Sequence, residues 1–278
     1  MTKEIEHAII NSPFCLIKRK SHILLISILC CCFIAYGRDK AYSLDITAGM
    51  TSWYAWGEQK SSAEDYSPVS SPAFLLGPTL AIKLSENFTL TFVYLYGKFD
   101  YEDKDNISRK FKSKRSDADL ALNYRLNDYF KVFGGIKYFS YDMLQVPSNH
   151  GIYTYKNDGK HTTSALGLGL TATFPIADNL FLLATLSGFY GSIGNDKDKI
   201  INTSTLDREK IGFQDFGINS NLSMAYYITG ASTTINLGVR YQYFKIKYES
   251  RNNDKWQGIT MDNTIYGITL TATYFFNI

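Results

Sequence analysis

The chain has 278 residues, of which 45% are hydrophobic and 20% charged, with a formal net charge of +3 at pH 7. That excess sits at the front: residues 1–43 hold six Lys/Arg against three Asp/Glu, leaving 23 of each sign in residues 44–278, so no global positive field points to nucleic acid. All four cysteines (Cys15, Cys30, Cys31, Cys32) also precede residue 44, which excludes a thiolate metal site from the remainder and suits a chain that crosses an oxidising compartment unfolded.

Lys18, Arg19 and Lys20 precede an apolar run over 23–36 and a small-x-small triplet, Ala41-Tyr42-Ser43. That order predicts an N-terminal export signal over residues 1–43, cleaved before Leu44. The apolar run of 14 residues is short of the ~20 that a membrane-spanning helix needs. No Leu-small-small triplet stands before Cys30, Cys31 or Cys32, so lipid attachment is not expected.

From residue 44 onward the hydrophobic pattern has a period of two, the signature of strands with two different faces. Strands are predicted at 44–57, 74–84, 88–101, 116–126, 130–141, 161–175, 180–192, 211–228, 232–246 and 261–277. Their connections alternate between two classes. The short ones are Ser85-Glu86-Asn87, Asn127-Asp128-Tyr129, Ala177-Asp178-Asn179 and Thr229-Gly230-Ala231, all rich in turn residues. The long ones, at 58–73, 102–115, 142–160, 193–210 and 247–260, are rich in Asp, Lys, Asn and Ser.

The faces differ in a way that water does not explain. In the strand at 161–175, Leu166, Leu168, Leu170 and Phe174 alternate with Gly167, Gly169, Thr171 and Thr173. In the last strand, Tyr266, Ile268, Leu270, Ala272, Tyr274 and Phe276 alternate with Gly267, Thr269, Thr271 and Thr273. A Gly-Gly-Thr-Thr row makes a poor solvated face but fits a crowded interior, so the apolar set faces lipid. Aromatics gather at both strand ends: Trp53, Tyr54, Trp56, Tyr94, Tyr96, Tyr138, Tyr190, Tyr241 and Tyr243 on the loop side, and Phe88, Phe130, Phe174, Tyr226, Tyr227, Tyr274 and Phe276 on the turn side. Two girdles around an aliphatic band predict an all-β fold, a transmembrane antiparallel up-and-down β-barrel of ten strands with both termini at the turn end. A mean hydropathy of −0.16 agrees with this, because a barrel strand is only half apolar.

In this pattern the whole of residues 44–278 resembles the small outer-membrane β-barrels of Gram-negative bacteria. The final strand, with Tyr274 and Phe276 near its end, resembles that family's C-terminal assembly signal, although it closes on Asn277-Ile278 rather than on an aromatic. The resemblance implies a place in the cell outer membrane, escort by periplasmic chaperones, insertion by the barrel-assembly machinery, and contact with lipid bilayer and lipopolysaccharide.

The inward positions carry Lys83, Asp119, Arg125, Lys131, Lys137 and Arg240. One reading is a polar network that fills the lumen, with Asp119 and nearby amides satisfying Arg125 and Arg240. The other is a narrow, cation-lined pathway that favours anions. Barrels of about eight strands are filled by side chains and wide channels need about sixteen, so ten lies nearer the filled end. The segment 109–115 brings Arg109, Lys110, Lys112, Lys114 and Arg115 together in a predicted loop, where they could contact lipopolysaccharide phosphates. Residues 44–278 hold two histidines, His150 and His161, which are not a close pair, so no metal or other cofactor is expected.

The sequence therefore predicts a non-enzymatic outer-membrane protein with a structural, adhesive or recognition role carried by its extracellular loops. The alternative is a narrow porin-like channel for small anionic solutes. A third reading is a rim-located hydrolase assembled from Asp158, His161 and Ser164.

Overall fold

The computed structural model describes residues 45–62, 67–103, 110–144, 160–192, 211–250 and 260–277. The expected export signal and its cleavage before Leu44 lie outside them. Alternation of large apolar with small or polar side chains gives eleven strands: β1 (Asp45–Ser61), β2 (Pro68–Ser70), β3 (Ala73–Lys83), β4 (Phe88–Asp103), β5 (Lys110–Arg125), β6 (Phe130–Leu144), β7 (Lys160–Ala177), β8 (Leu180–Ser192), β9 (Ile211–Ile228), β10 (Thr233–Ser250) and β11 (Thr260–Asn277).

The strands form one antiparallel meander. The last strand returns to the first: β1 pairs with β11 from Asp45↔Asn277 to Ser61↔Met261, which closes the ring. The short β2 pairs with Glu58 of β1 and with 101–103 of β4, and so continues the line of β3 at the loop end. The wall therefore has ten staves, the number the sequence predicts.

The strands run further at their loop ends than the apolar pattern predicts. β5 starts at Lys110 rather than 116, and β10 ends at Ser250 rather than 246. Above the apolar band the ladder continues through Gly97↔Arg115, Lys98↔Lys114, Phe99↔Ser113 and Asp100↔Lys112. There the outward residues become charged while the inward ones stay buried, so hydrophobic alternation disappears although the pleat persists.

Outside, Leu166, Leu168, Leu186, Leu237 and Val239 are more than half exposed, within a continuous apolar belt. A belt of that extent does not suit water, and a closed ladder satisfies every stave's backbone without an edge. The protein is a transmembrane β-barrel of the outer-membrane type.

The turns cap themselves. Ser85 Oγ accepts hydrogen bonds from the amides of Asn87 and Phe88, and Asn127 Oδ1 accepts from those of Tyr129 and Phe130 at 2.9 and 2.8 Å. Asn179 adopts φ 65° in the β7–β8 turn, a left-handed conformation that asparagine tolerates and β-branched residues do not. Asn179→Gly should therefore be tolerated, and Asn179→Val should lower stability by about 1–2 kcal/mol in urea unfolding of the barrel in lipid vesicles.

Candidate functional site

The inward face of β5 divides the lumen in two. Ser113, Arg115 and Asp117 are at most 2% exposed, whereas the side chain of Asp119 is 30% exposed. Ala121 and Asn123 beyond it are half-buried, and Arg125 is exposed. β10 repeats the gradient: Ile246, Phe244 and Gln242 are buried, then Arg240, Gly238 and Asn236 are not fully so. The loop half is packed, and along β5 the inward face opens toward the turns; the β9–β11 side stays close-packed there, with Ser223, Ala225 and Thr269 buried and the Asn221 and Asn236 side-chain oxygens sealed.

Large side chains fill the loop half. Phe139 packs on Phe244 at 5.2 Å and on Phe189 at 5.8 Å between centroids, and Tyr141 stacks on Phe244 at 5.5 Å. Trp53, Leu75, Leu95, Phe99 and Ile265 belong to the same cluster. Gly217 makes room for it: a Cβ there would lie 2.5 Å from the Phe189 ring and 2.7 Å from Phe244 Cβ.

Charges are buried within and beneath these rings. Arg115 and Asp117 stand two apart on one face of β5, which makes them neighbours. Arg115 donates from Nε to Asp117 Oδ1 at 2.9 Å and from Nη2 to Oδ2 at 2.6 Å, and Nη2 also reaches Gln242 Oε1 at 2.8 Å. Its guanidinium lies 5.0 Å from the Tyr141 ring. One step nearer the turns, Lys137 donates to Asp119 Oδ1 at 2.7 Å across a directly opposed pair. Arg240 donates from Nε to Asn219 Oδ1 at 3.2 Å, sits 4.5 Å over the Trp53 ring, and holds Nη2 3.8 Å from Asp119 Oδ2. Near the loops, the Thr163 hydroxyl donates to the buried Asp215.

Three of the six expected lumen charges thus meet: Asp119, Lys137 and Arg240. Lys83, Arg125 and Lys131 do not join them. Lys83 pairs with Asp45 at 3.1 Å, and Arg125 pairs with Asp128 of the adjacent turn rather than with Asp119. Arg125 stands six residues along β5 from Asp119, roughly 20 Å at ~3.4 Å per residue. These cations instead line a cavity of about 260 Å³ at the turn-side mouth, with Glu86, Asn123 and Asp128.

The basic segment divides likewise. Lys112 and Lys114 point outward above the belt, but Arg115 is completely buried in the lumen, not in a surface loop, because odd-numbered positions of β5 face inward. Lys110 begins β5, and Arg109 lies outside the described residues. Trp53, expected in the loop-side girdle, is a lumen residue for the same reason of parity, flanked by the outward Ser52 and Tyr54. The sequence pattern marks neither Asp117, Gln242 and Trp53 nor, except as a surface lipopolysaccharide contact, Arg115 as part of a lumen site. Extending the inward series Arg125, Asn123, Ala121, Asp119 by two steps would have reached Asp117 and Arg115.

Tyr274 and Phe276 face outward at the turn end with ring centroids 4.6 Å apart. Ser164 is exposed on the outer face of β7, while Asp158 and the His161 side chain lie outside the described residues. Among the described residues no group of three or more His, Cys, Asp or Glu could hold a metal.

No protein-family model matches the chain, and no curated protein does. Among solved structures, the chain is similar to the outer membrane protease OmpT from Escherichia coli, with 12% identity, 85% of this chain and 99% of that one covered, and a TM-score of 0.48. It is similar to the translocator domain of the autotransporter NalP from Neisseria meningitidis, with 12% identity, 93% and 98% covered, and a TM-score of 0.43. It is also similar to the outer membrane protein OprG from Pseudomonas aeruginosa, with 13% identity, 86% and 98% covered, and a TM-score of 0.39. Likenesses this distant carry no statement about activity.

The buried pair and the mouth pair should respond differently to loss of an acid. Asp117→Ala leaves Arg115 buried and unpaired and should cost about 3–5 kcal/mol. Asp128→Ala, at an exposed pair, should cost about 1 kcal/mol or less. Urea unfolding followed by tryptophan fluorescence reads both.

Proposed function

We propose that this protein is an integral outer-membrane barrel that does not conduct and does not catalyse, and that it works as a structural or recognition element through its loop-side surface. The observation that carries this reading is the packed loop half of the lumen, where Phe139, Phe189 and Phe244 close over the Arg115–Asp117 pair. A channel for anionic solutes needs a continuous wet path past cationic groups. Here the cations at the turn-side mouth open onto a closed floor.

The outer wall supports one partner on that surface. Lys98 and Lys114 are directly opposed across the β4–β5 ladder, two positions above Tyr96, and Lys112 lies 3.9 Å from Asp100. Like charges directly opposite each other destabilise a ladder, and a phosphate of the outer-leaflet glycolipid set between them removes that repulsion. Lipopolysaccharide contact is therefore assigned to Lys98, Lys112 and Lys114, leaving Arg115 to the lumen. Tyr274 and Phe276 remain the proposed assembly signal for the barrel-assembly machinery.

The folded protein in a planar bilayer should show no discrete conductance steps, whereas Phe139→Ala combined with Phe244→Ala should create them. Steps in the unaltered protein, with anion selectivity lost in Arg240→Gln, would replace this reading with the channel. Changing both Lys98 and Lys114 to Gln should lower the lipopolysaccharide that co-purifies with the barrel.

A further inference from the structure

Three hydrogen-bond donors at the floor of the packed layer have no acceptor: Trp53 Nε1, Arg240 Nη2 and Gln242 Nε2, whereas the Arg115 guanidinium also has the Tyr141 hydroxyl as a partner. They belong to side chains that are buried or, for Arg240, nine-tenths buried. They are also neighbours. The Arg240 and Arg115 guanidinium carbons lie 4.5 and 5.8 Å from the Trp53 ring, Arg115 is bonded to Gln242, and Gln242 stands two residues from Arg240 on the inward face of β10. Buried donors left unpaired are rare because each one forfeits its bond to water. Three in one place, all N–H, form a site for an acceptor.

The carboxylates nearby are already engaged. Asp117 takes both Nε and Nη2 of Arg115, and Asp119 is held by Lys137, so Arg240 Nη2 stays beyond hydrogen-bond reach of it at 3.8 Å. Arg115, Lys137 and Arg240 against Asp117 and Asp119 leave one positive charge in excess at this layer. Asp215, opposite Ile246, lies six residues nearer the loops than Asn221, which stands opposite Arg240. The Asn221 side-chain oxygen, on the residue opposite Arg240, is itself unpaired.

We propose that this floor binds one small oxyanion, a carboxylate or phosphate group, that enters from the turn side of the barrel. The Arg240 guanidinium offers a free N–H to an oxygen of such a group, Arg115 adds charge beside it, and the indole and amide N–H groups add neutral donors. Entry from the turns follows from exposure. Solvent reaches Asp119 at 30% and half-buried Ala121 and Asn123 below it, while Ser113, Phe99, Tyr101 and Ile246 above Arg115 are buried. The site is a blind pocket, so it binds without conducting, and it stands apart from the surface role proposed above.

Isothermal titration of the protein purified from membranes in detergent, with sodium phosphate and with sodium acetate at fixed ionic strength, tests this. Saturable one-site binding of at least one of them is expected. Arg240→Gln should abolish it. Trp53→Phe, which keeps an aromatic ring but removes the indole N–H, should weaken it about tenfold. Heat-modifiable migration on gels confirms that each variant is folded. Absence of saturable binding of both ions by the folded unaltered protein, or binding that both variants retain unchanged, would overturn the proposal.

Discussion

In hydrocarbon no water is present to receive a backbone N–H or C=O, so every polar group of the chain that lies there must pair within the protein. The β1–β11 ladder, seventeen residue pairs from Asp45↔Asn277 to Ser61↔Met261, meets that requirement by turning a sheet into a ring. The rest of the architecture follows from it. A ring of pleated strands has an outside and an inside reached by alternate residues, so sequence parity alone decides whether a side chain meets lipid or lumen. Leu166 and Leu168 are exposed because they are on the lipid parity, and Arg115 is buried because it is not.

Ten staves enclose a space that side chains fill only if large ones are supplied, and this chain supplies them at one end. Small and polar residues predominate in the turn half, with Phe133 over Gly169 among them, and a cluster of aromatic rings fills the loop half. A barrel of one wall thus holds two environments. Placing Arg115 and Asp117 among the rings costs desolvation, which a bidentate pair and the Gln242 bond offset without making the pair a net source of stability. What such a pair supplies is position: the rings of Tyr141, Phe244 and Trp53 arrange around one guanidinium. Gly217 belongs to the same device, because Phe189 and Phe244 meet in the space that its missing side chain leaves.

The wall was legible in the sequence and its contents were only partly so. Alternation in the strands containing Leu166 and Leu270 marks the lipid face directly, and Ser85, Asn127 and Asn179 mark the turns by chemistry that acts within a few residues. The loop-end extension of β5 was not legible from hydrophobicity, because Lys112 and Lys114 replace apolar residues on the outward parity where the wall leaves the membrane. Arg115 was consequently read with its basic neighbours as surface. Parity puts all six expected charges on the inward face but does not say which of them meet, and the separation of Lys83, Arg125 and Lys131 from Asp119, Lys137 and Arg240 depends on height along the strands, which parity does not encode. Trp53 shows the remaining gap: composition places an aromatic at the loop end but does not say on which side of the wall.

The division of the inward face of β5 into a sealed loop half and an accessible turn half can be measured directly, because residues 44–278 contain no cysteine. With Cys15, Cys30, Cys31 and Cys32 changed to serine, single cysteines at Ser113 and Asn123 would be exposed to a small charged thiol reagent in the purified, folded barrel. A sealed loop half predicts fast modification of Asn123→Cys and none of Ser113→Cys until the protein is unfolded. Equal and rapid modification of both would mean a lumen open from end to end, and would contradict the packed structure on which the proposed role rests.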